Sequence, residues 1–205
     1  MRLIARILST VLHPLLMPTY GMALLGHYSL FFYYPGGEKF VWLLTGLTAL
    51  FTLVLPMAAI GVMKLCGMIE DVALNNRHER PLPYLMAILC YCFLGALFVR
   101  MHVPMKITAL VAGSVAALLL CIVITRWWKI SAHLTGMGGF VGCMTYTAYL
   151  FPIMPLTLLC GFFLLAGMLG TSRIVLGRHT FAQTLAGFVN GFLCVWLAMM
   201  LAPLS

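Results

Sequence analysis

The chain has 205 residues, 63 % of them hydrophobic and 8 % charged, with a formal net charge of +8. Soluble domains average about 45–50 % apolar and about 25 % charged residues, so twelve cations and four acids cannot cover a water-facing surface of this size. The surrounding solvent must be lipid. That excludes a cytosolic enzyme, a disulfide-stapled secreted domain and a disordered tail. A nucleic-acid binder is excluded too, because the cations stand singly or in pairs rather than in runs.

Uncharged stretches of about 20 residues can cross hydrocarbon as helix. The first, 7–37, follows Arg2 and Arg6. His13, Pro14 and Pro18 interrupt it and no small-residue cleavage pattern precedes Tyr20, so it is read as retained rather than as a signal peptide. Further stretches cover 40–63, 81–99 and 107–125, and the longest, 134–172, suffices for two crossings. Its expected break is Phe151-Pro152-Ile153-Met154-Pro155, where two prolines remove backbone donors. The last stretch is 180–205. The expectation is one all-α, polytopic membrane domain over 1–205 with six or seven spans and short loops. The seven cysteines have no metal-ligand or CxxC spacing and read as small apolar packers.

Chemistry must come from three hydrophilic islands: 64–80, 126–133 and 172–183. Two spans separate each from the next, and an even number of crossings returns the chain to the same membrane face. All three can therefore meet at one interface. The first island ends in Arg80-Pro81, the second in Ser131-Ala132-His133, and the third holds Ser172-Arg173, five residues, then His179.

This order resembles the type 2 phosphatidic acid phosphatase (PAP2) superfamily, whose signature is K-x6-RP, then PSGH, then SR-x5-H-x3-D. The resemblance spans 73–183. It implies a membrane lipid phosphatase acting on a phosphate monoester or diphosphate, with phosphatidic acid, phosphatidylglycerol phosphate and undecaprenyl diphosphate as candidate substrates. By resemblance, His179 is the nucleophile that forms a phosphohistidine, and His133 is the general acid for the leaving alcohol. Arg80 and Arg173 clamp the phosphoryl oxygens, with Ser131 beside them. The residue chemistry agrees: guanidiniums suit developing phosphoryl charge, and a neutral and a protonated imidazole suit nucleophile and acid. Neither metal nor cofactor is expected.

Three departures stand out. The family's lysine position is Ala73, and Arg77, one helical turn before Arg80, is the candidate replacement cation. PSGH has become Ile130-Ser131-Ala132-His133. The family's aspartate four residues after the nucleophile is Gln183, which can orient His179 in a helix starting near residue 179 but cannot neutralise it. No acid follows residue 79, so a carboxylate relay would have to come from Glu79, whose plainer reading is as neutraliser of Arg77 or Arg80. Arg178 reads as an interfacial anchor. His13 and His27 are assigned no chemistry. The stripe His179, Gln183, Asn190, widened by Gly187 and Gly191, is either close helix packing or a groove wall for lipid.

Prenyltransferases and CDP-alcohol phosphotransferases need a second acidic motif that is absent, and a channel would carry polar residues at span centres. The alternative kept open is a protein of the same fold that binds a lipid phosphate, or transfers phosphate, with little hydrolysis. The expected partners are the bilayer and a lipid phosphate, without nucleic acid, and the expected location is a bacterial inner membrane. The excess of Lys and Arg at the motif end leans toward a cytoplasm-facing site.

Overall fold

The computed structural model describes residues 1–28, 37–71, 77–151 and 154–203, with only the backbone of Arg77. Among them the regular structure is entirely helical: α1 (Arg2–Val11), α2 (Met17–Tyr28), α3 (Gly37–Ala49), α4 (Leu55–Leu65), α5 (Pro81–Arg100), α6 (Met105–Thr125), α7 (Ala132–Leu150), α8 (Leu156–Val175) and α9 (Phe181–Leu201). A π-helical turn, Leu50–Val54, joins α3 to α4 into one rod, Gly37–Leu65. That rod, α5, α6, α8 and α9 are long and apolar enough to cross a membrane. Leu119, Phe163, Leu164, Leu185 and Leu193 stand exposed on them, as contact with lipid tails allows. The expected break after α7 is present, with Phe151 ending the helix and Pro155 capping the next.

The stretch 7–37 differs from a single span over its described part. α1 stops at Val11, and the N–H groups of Leu16 and Met17 turn back onto the carbonyls of His13 and Pro14. Pro14 offers no donor and its ring blocks continuation of α1. The result is two short helices of 10 and 12 residues, each under about 20 Å.

α7 is the central helix, with twelve of its nineteen residues buried. Its Thr- and Gly-rich sequence reflects protein neighbours rather than lipid. It runs parallel to α9 with the backbones in contact. A Cβ at Gly187 would stand 2.5 Å from the Ser131 carbonyl oxygen, and one at Gly142 would stand 2.6 Å from that of Phe192. A Cβ at Gly138 or Gly191 would stand closer still to the carbonyls of Phe188 and Thr135 respectively. Gly187 and Gly191 are therefore packing residues, in the manner by which small residues bring membrane helices together. Asn190 shares that task, donating its amide to Ala117 O on α6 at 3.1 Å.

At the end of the bundle where α9 finishes, Lys106 is buried at the start of α6. Its Nζ donates to the carbonyls of Met199 (2.8 Å) and Met200 (3.3 Å), and it lies 5.0 Å from the Tyr146 ring centre. This cation satisfies the last carbonyls of α9 and the negative end of its dipole.

Candidate active site

The three islands meet at the other end of the bundle. Arg80, the residue before α5, donates from Nη1 to Ile130 O at 3.1 Å. The Ser131 N–H donates to Gln183 O at 3.3 Å, which ties the start of α7 to the first turn of α9. Both helices thus present their positive ends here.

The turn between α8 and α9 explains the Arg173–His179 spacing. Arg173 lies in the last turn of α8, and Gly177 adopts φ +66 just past its end, a conformation glycine enters without steric cost. The Gly177 N–H bonds to Ile174 O at 2.8 Å and the Arg178 N–H to Arg173 O at 3.0 Å, a Schellman closure. Two residues later Thr180 caps α9. The chain reverses so tightly that Arg173 and His179 look into the same space.

That space is a cavity of about 670 Å³. Arg80, His133, Arg173 and His179 all line it, together with Arg2, Arg6, Arg178 and His13. Among the described residues no carboxylate reaches its wall. Further in, the wall becomes apolar, with Ala87, Tyr91, Leu110, Phe140 and Val195 contributed by four helices of the bundle. A basic mouth over an apolar shaft suits an amphiphile with an anionic head. Arg173 Nε is buried and has no hydrogen-bond partner, a costly arrangement in a closed protein and a useful one where an anion is to be bound.

His179 is buried and precedes the N-cap, so α9 starts two residues later than the sequence implied. Its Nδ1 nevertheless lies 3.1 Å from Gln183 Oε1, because Gln183 folds back as the third residue of a capping box. The same Oε1 accepts the Thr180 N–H at 3.1 Å, and Thr180 Oγ1 accepts the Gln183 N–H at 3.4 Å. An oxygen can only accept from the ring, so Nδ1 carries the hydrogen and Nε2 keeps the lone pair. Burial first, then the charges of Arg80, Arg173 and Lys129, lower the His179 pKa to about 4 despite the Gln183 bond. The lowered pKa favours the neutral ring, whose free lone pair is on Nε2.

His133, the second residue of α7, has Nε2 3.1 Å from Ser9 O on α1. A carbonyl only accepts, so in the neutral ring Nε2 carries the hydrogen. The His13 ring stands edge-on to His133, centroids 5.4 Å apart, and its Nδ1 accepts the Leu15 N–H at 3.4 Å. Burial and Arg173 lower the His13 pKa. Among the described residues no carboxylate on the wall offers a counter-charge for a second proton on His133.

Several expectations are corrected. Ser131 does not line the cavity; its Oγ is fully buried without a partner, because the close approach of α7 and α9 encloses it. Ser172 spends its hydroxyl on Met168 O at 2.8 Å. Glu79 is also off the cavity wall, its Oε2 accepting the Glu70 N–H at 3.0 Å, while His179 Nδ1 is already held by Gln183. A Glu79 relay is thereby removed. Arg178 lines the cavity as well as standing exposed at the helix end. Ala73 and the Arg77 side chain fall outside the described residues. Not anticipated were His13, Ser9 and the arginines of α1; the sequence signal available was their spacing at 2, 6, 9 and 13.

No family model matches the chain, and no curated protein or solved structure matches it.

Proposed function

We propose that this membrane protein is a divergent lipid phosphate phosphatase of the type 2 phosphatidic acid phosphatase kind, hydrolysing a phosphate monoester or diphosphate without a cofactor. The observation that carries the reading is one cavity edged by Arg80, Arg173, His133 and His179, with Gln183 fixing the His179 tautomer that leaves Nε2 free to attack. The two arginines take up charge on the non-bridging oxygens, His179 Nε2 attacks phosphorus, and His133, protonated when the anion is bound, supplies a proton to the departing oxygen. Phosphatidic acid, phosphatidylglycerol phosphate and undecaprenyl diphosphate all have the head and tail for this cavity. In this reading α7 is a sixth span, shielded from lipid by its neighbours, and α1 lies along the motif face. The setting proposed is a bacterial inner membrane. The test is phosphate release from these lipids in detergent by the parent protein and by His179→Ala: turnover by the parent and none by the variant supports hydrolysis.

Gln183 favours a second reading. Once phosphorylated, a ring that keeps hydrogen on Nδ1 is cationic, and an amide oxygen compensates it less than a carboxylate does. A protein that binds the lipid phosphate, or passes phosphate on, with little hydrolysis would bind phosphatidic acid equally well in parent and variant and release nothing from either.

A further inference from the structure

We infer that α1 supplies a second anion subsite in this cavity, and that the site is built for a lipid bearing two linked phosphoryl groups, a diphosphate rather than a monoester. The inference rests on the phosphatase reading and narrows its substrate. α1 has two distinct faces. Leu3, Ile4, Ile7 and Val11 are exposed on one, whereas Arg2, Arg6, Ser9 and, just past the helix end, His13 line the cavity, the two arginines at its exposed rim and Ser9 buried. Their spacing of four, three and four places them on one helical stripe. The stripe is anchored where Ser9 O meets His133 Nε2. Arg6 lies about 5 Å along the axis from that contact and Arg2 about 10 Å, within reach of long side chains. Independently, Ser9 Oγ is more than nine-tenths buried, belongs to a residue on the cavity wall and has no hydrogen-bond partner. Leaving such a hydroxyl unpaired is costly, and a ligand oxygen is the group that would pair it.

The chemistry of the leaving group indicates what belongs beside α1. As His179 Nε2 forms its bond to the terminal phosphorus, the bond from that phosphorus to the bridging oxygen breaks, and the oxygen departs with the electron pair toward His133. In a monoester that oxygen belongs to an uncharged alcohol, which offers Arg2 and Arg6 nothing to bind. In a diphosphate it belongs to a lipid monophosphate, whose growing negative charge falls in the cavity that Arg2 and Arg6 line together with His133, and guanidiniums suit such charge. Water then splits the N–P bond. Its hydroxyl joins phosphorus to give inorganic phosphate, its other proton passes to solvent, and the Nε2 lone pair is restored. Among the described residues, five arginines and no carboxylate on the wall match a trianionic head better than a dianionic one.

The experiment compares phosphate release from farnesyl diphosphate and dioleoyl phosphatidic acid by the full chain in dodecyl maltoside micelles. Arg2→Gln/Arg6→Gln should lower kcat/KM for farnesyl diphosphate about tenfold or more and change phosphatidic acid less than about threefold; the corresponding lysine pair should keep most of the diphosphate rate. Equal losses on both lipids, or no loss on either, overturn the inference. The unsubstituted protein gives a second reading, independent of how the variants fold. Inorganic pyrophosphate should raise its melting temperature at about one-tenth the concentration of inorganic phosphate that is needed, and equal potency overturns the subsite. A parent protein that releases phosphate from neither lipid yet prefers pyrophosphate refutes the phosphatase reading and leaves the subsite standing.

Discussion

The two ends of this bundle treat buried positive charge in opposite ways. Lys106 is enclosed, pointed at the last carbonyls of α9 and laid against Tyr146; its partners belong to the fold. At the other end Arg173 stands on the wall of the cavity, where no carboxylate reaches among the described residues, and its Nε has no partner. A cation with internal partners is a structural part. One left short of partners on a cavity wall is, in the proposed function, there for the anion that arrives.

That contrast can be broken by substitution. The largest effect is expected for His179→Ala, which should lower phosphate release by about 10³-fold or more while retaining binding of phosphatidic acid; activity near the parent level would remove the nucleophile assignment. Next comes a paired test of the two ends. Arg173→Lys keeps the charge but loses the planar two-pronged contact, so turnover should fall about 10²-fold with melting temperature nearly unchanged. Lys106→Met should do the reverse, costing about 1–3 kcal/mol of stability through unpaired carbonyls and leaving turnover within about threefold of the parent. If both variants lose activity and stability alike, the division between the ends is wrong.

Gln183→Asp sharpens the site end further. A carboxylate beside Nδ1 stabilises the cationic ring, so the rate should rise, and the acid limb of the pH profile should move up from near 4, because an anion favours protonation. A fall in rate with no change in that limb would mean the amide is doing more than holding the tautomer. The smallest effect is on stability. His179 binds its proton near 4 in the fold and near 6.5 when unfolded, and His13 is lowered too. The unfolded chain therefore takes up more protons between those values, and stability declines as pH falls from about 6.5 to 4. Melting temperatures in detergent at pH 7.5 and 5 should show the drop, and added phosphate should reduce it.

Much of the architecture was legible because lipid imposes it: the uncharged runs 81–99, 107–125 and 180–205 correspond to α5, α6 and α9, and α7 ends at Phe151 while Pro155 caps α8. The meeting of Arg80, His133, Arg173 and His179 followed from counting crossings. What counting charge missed was polarity without charge, and contacts far apart in sequence. α1 was folded into a longer span because Ser9, Thr10 and His13 carry no formal charge, although Arg2, Arg6, Ser9 and His13 make a helical stripe. The Ser9–His133 contact links residues 124 apart and has no local signal. The Thr180-x-x-Gln183 capping box did have one, and it explains why a glutamine can stand beside His179. Ser131 was misplaced because the backbone contact that buries it depends on glycines of another helix.

The glycine contacts between α7 and α9 bear on how this protein behaves in different membranes. Two helices touching carbonyl to glycine along their length cannot slide or spread without breaking many close contacts at once. His133 rides at the start of one and His179 just ahead of the other, so their separation is gauged by main chain rather than by flexible side chains. A bilayer thicker or thinner than the apolar belt tilts such a pair as a single bar. The spacing of the two imidazoles is thereby insulated from lipid composition, while α1, with Leu3, Ile4, Ile7 and Val11 exposed, is the piece that feels the surface.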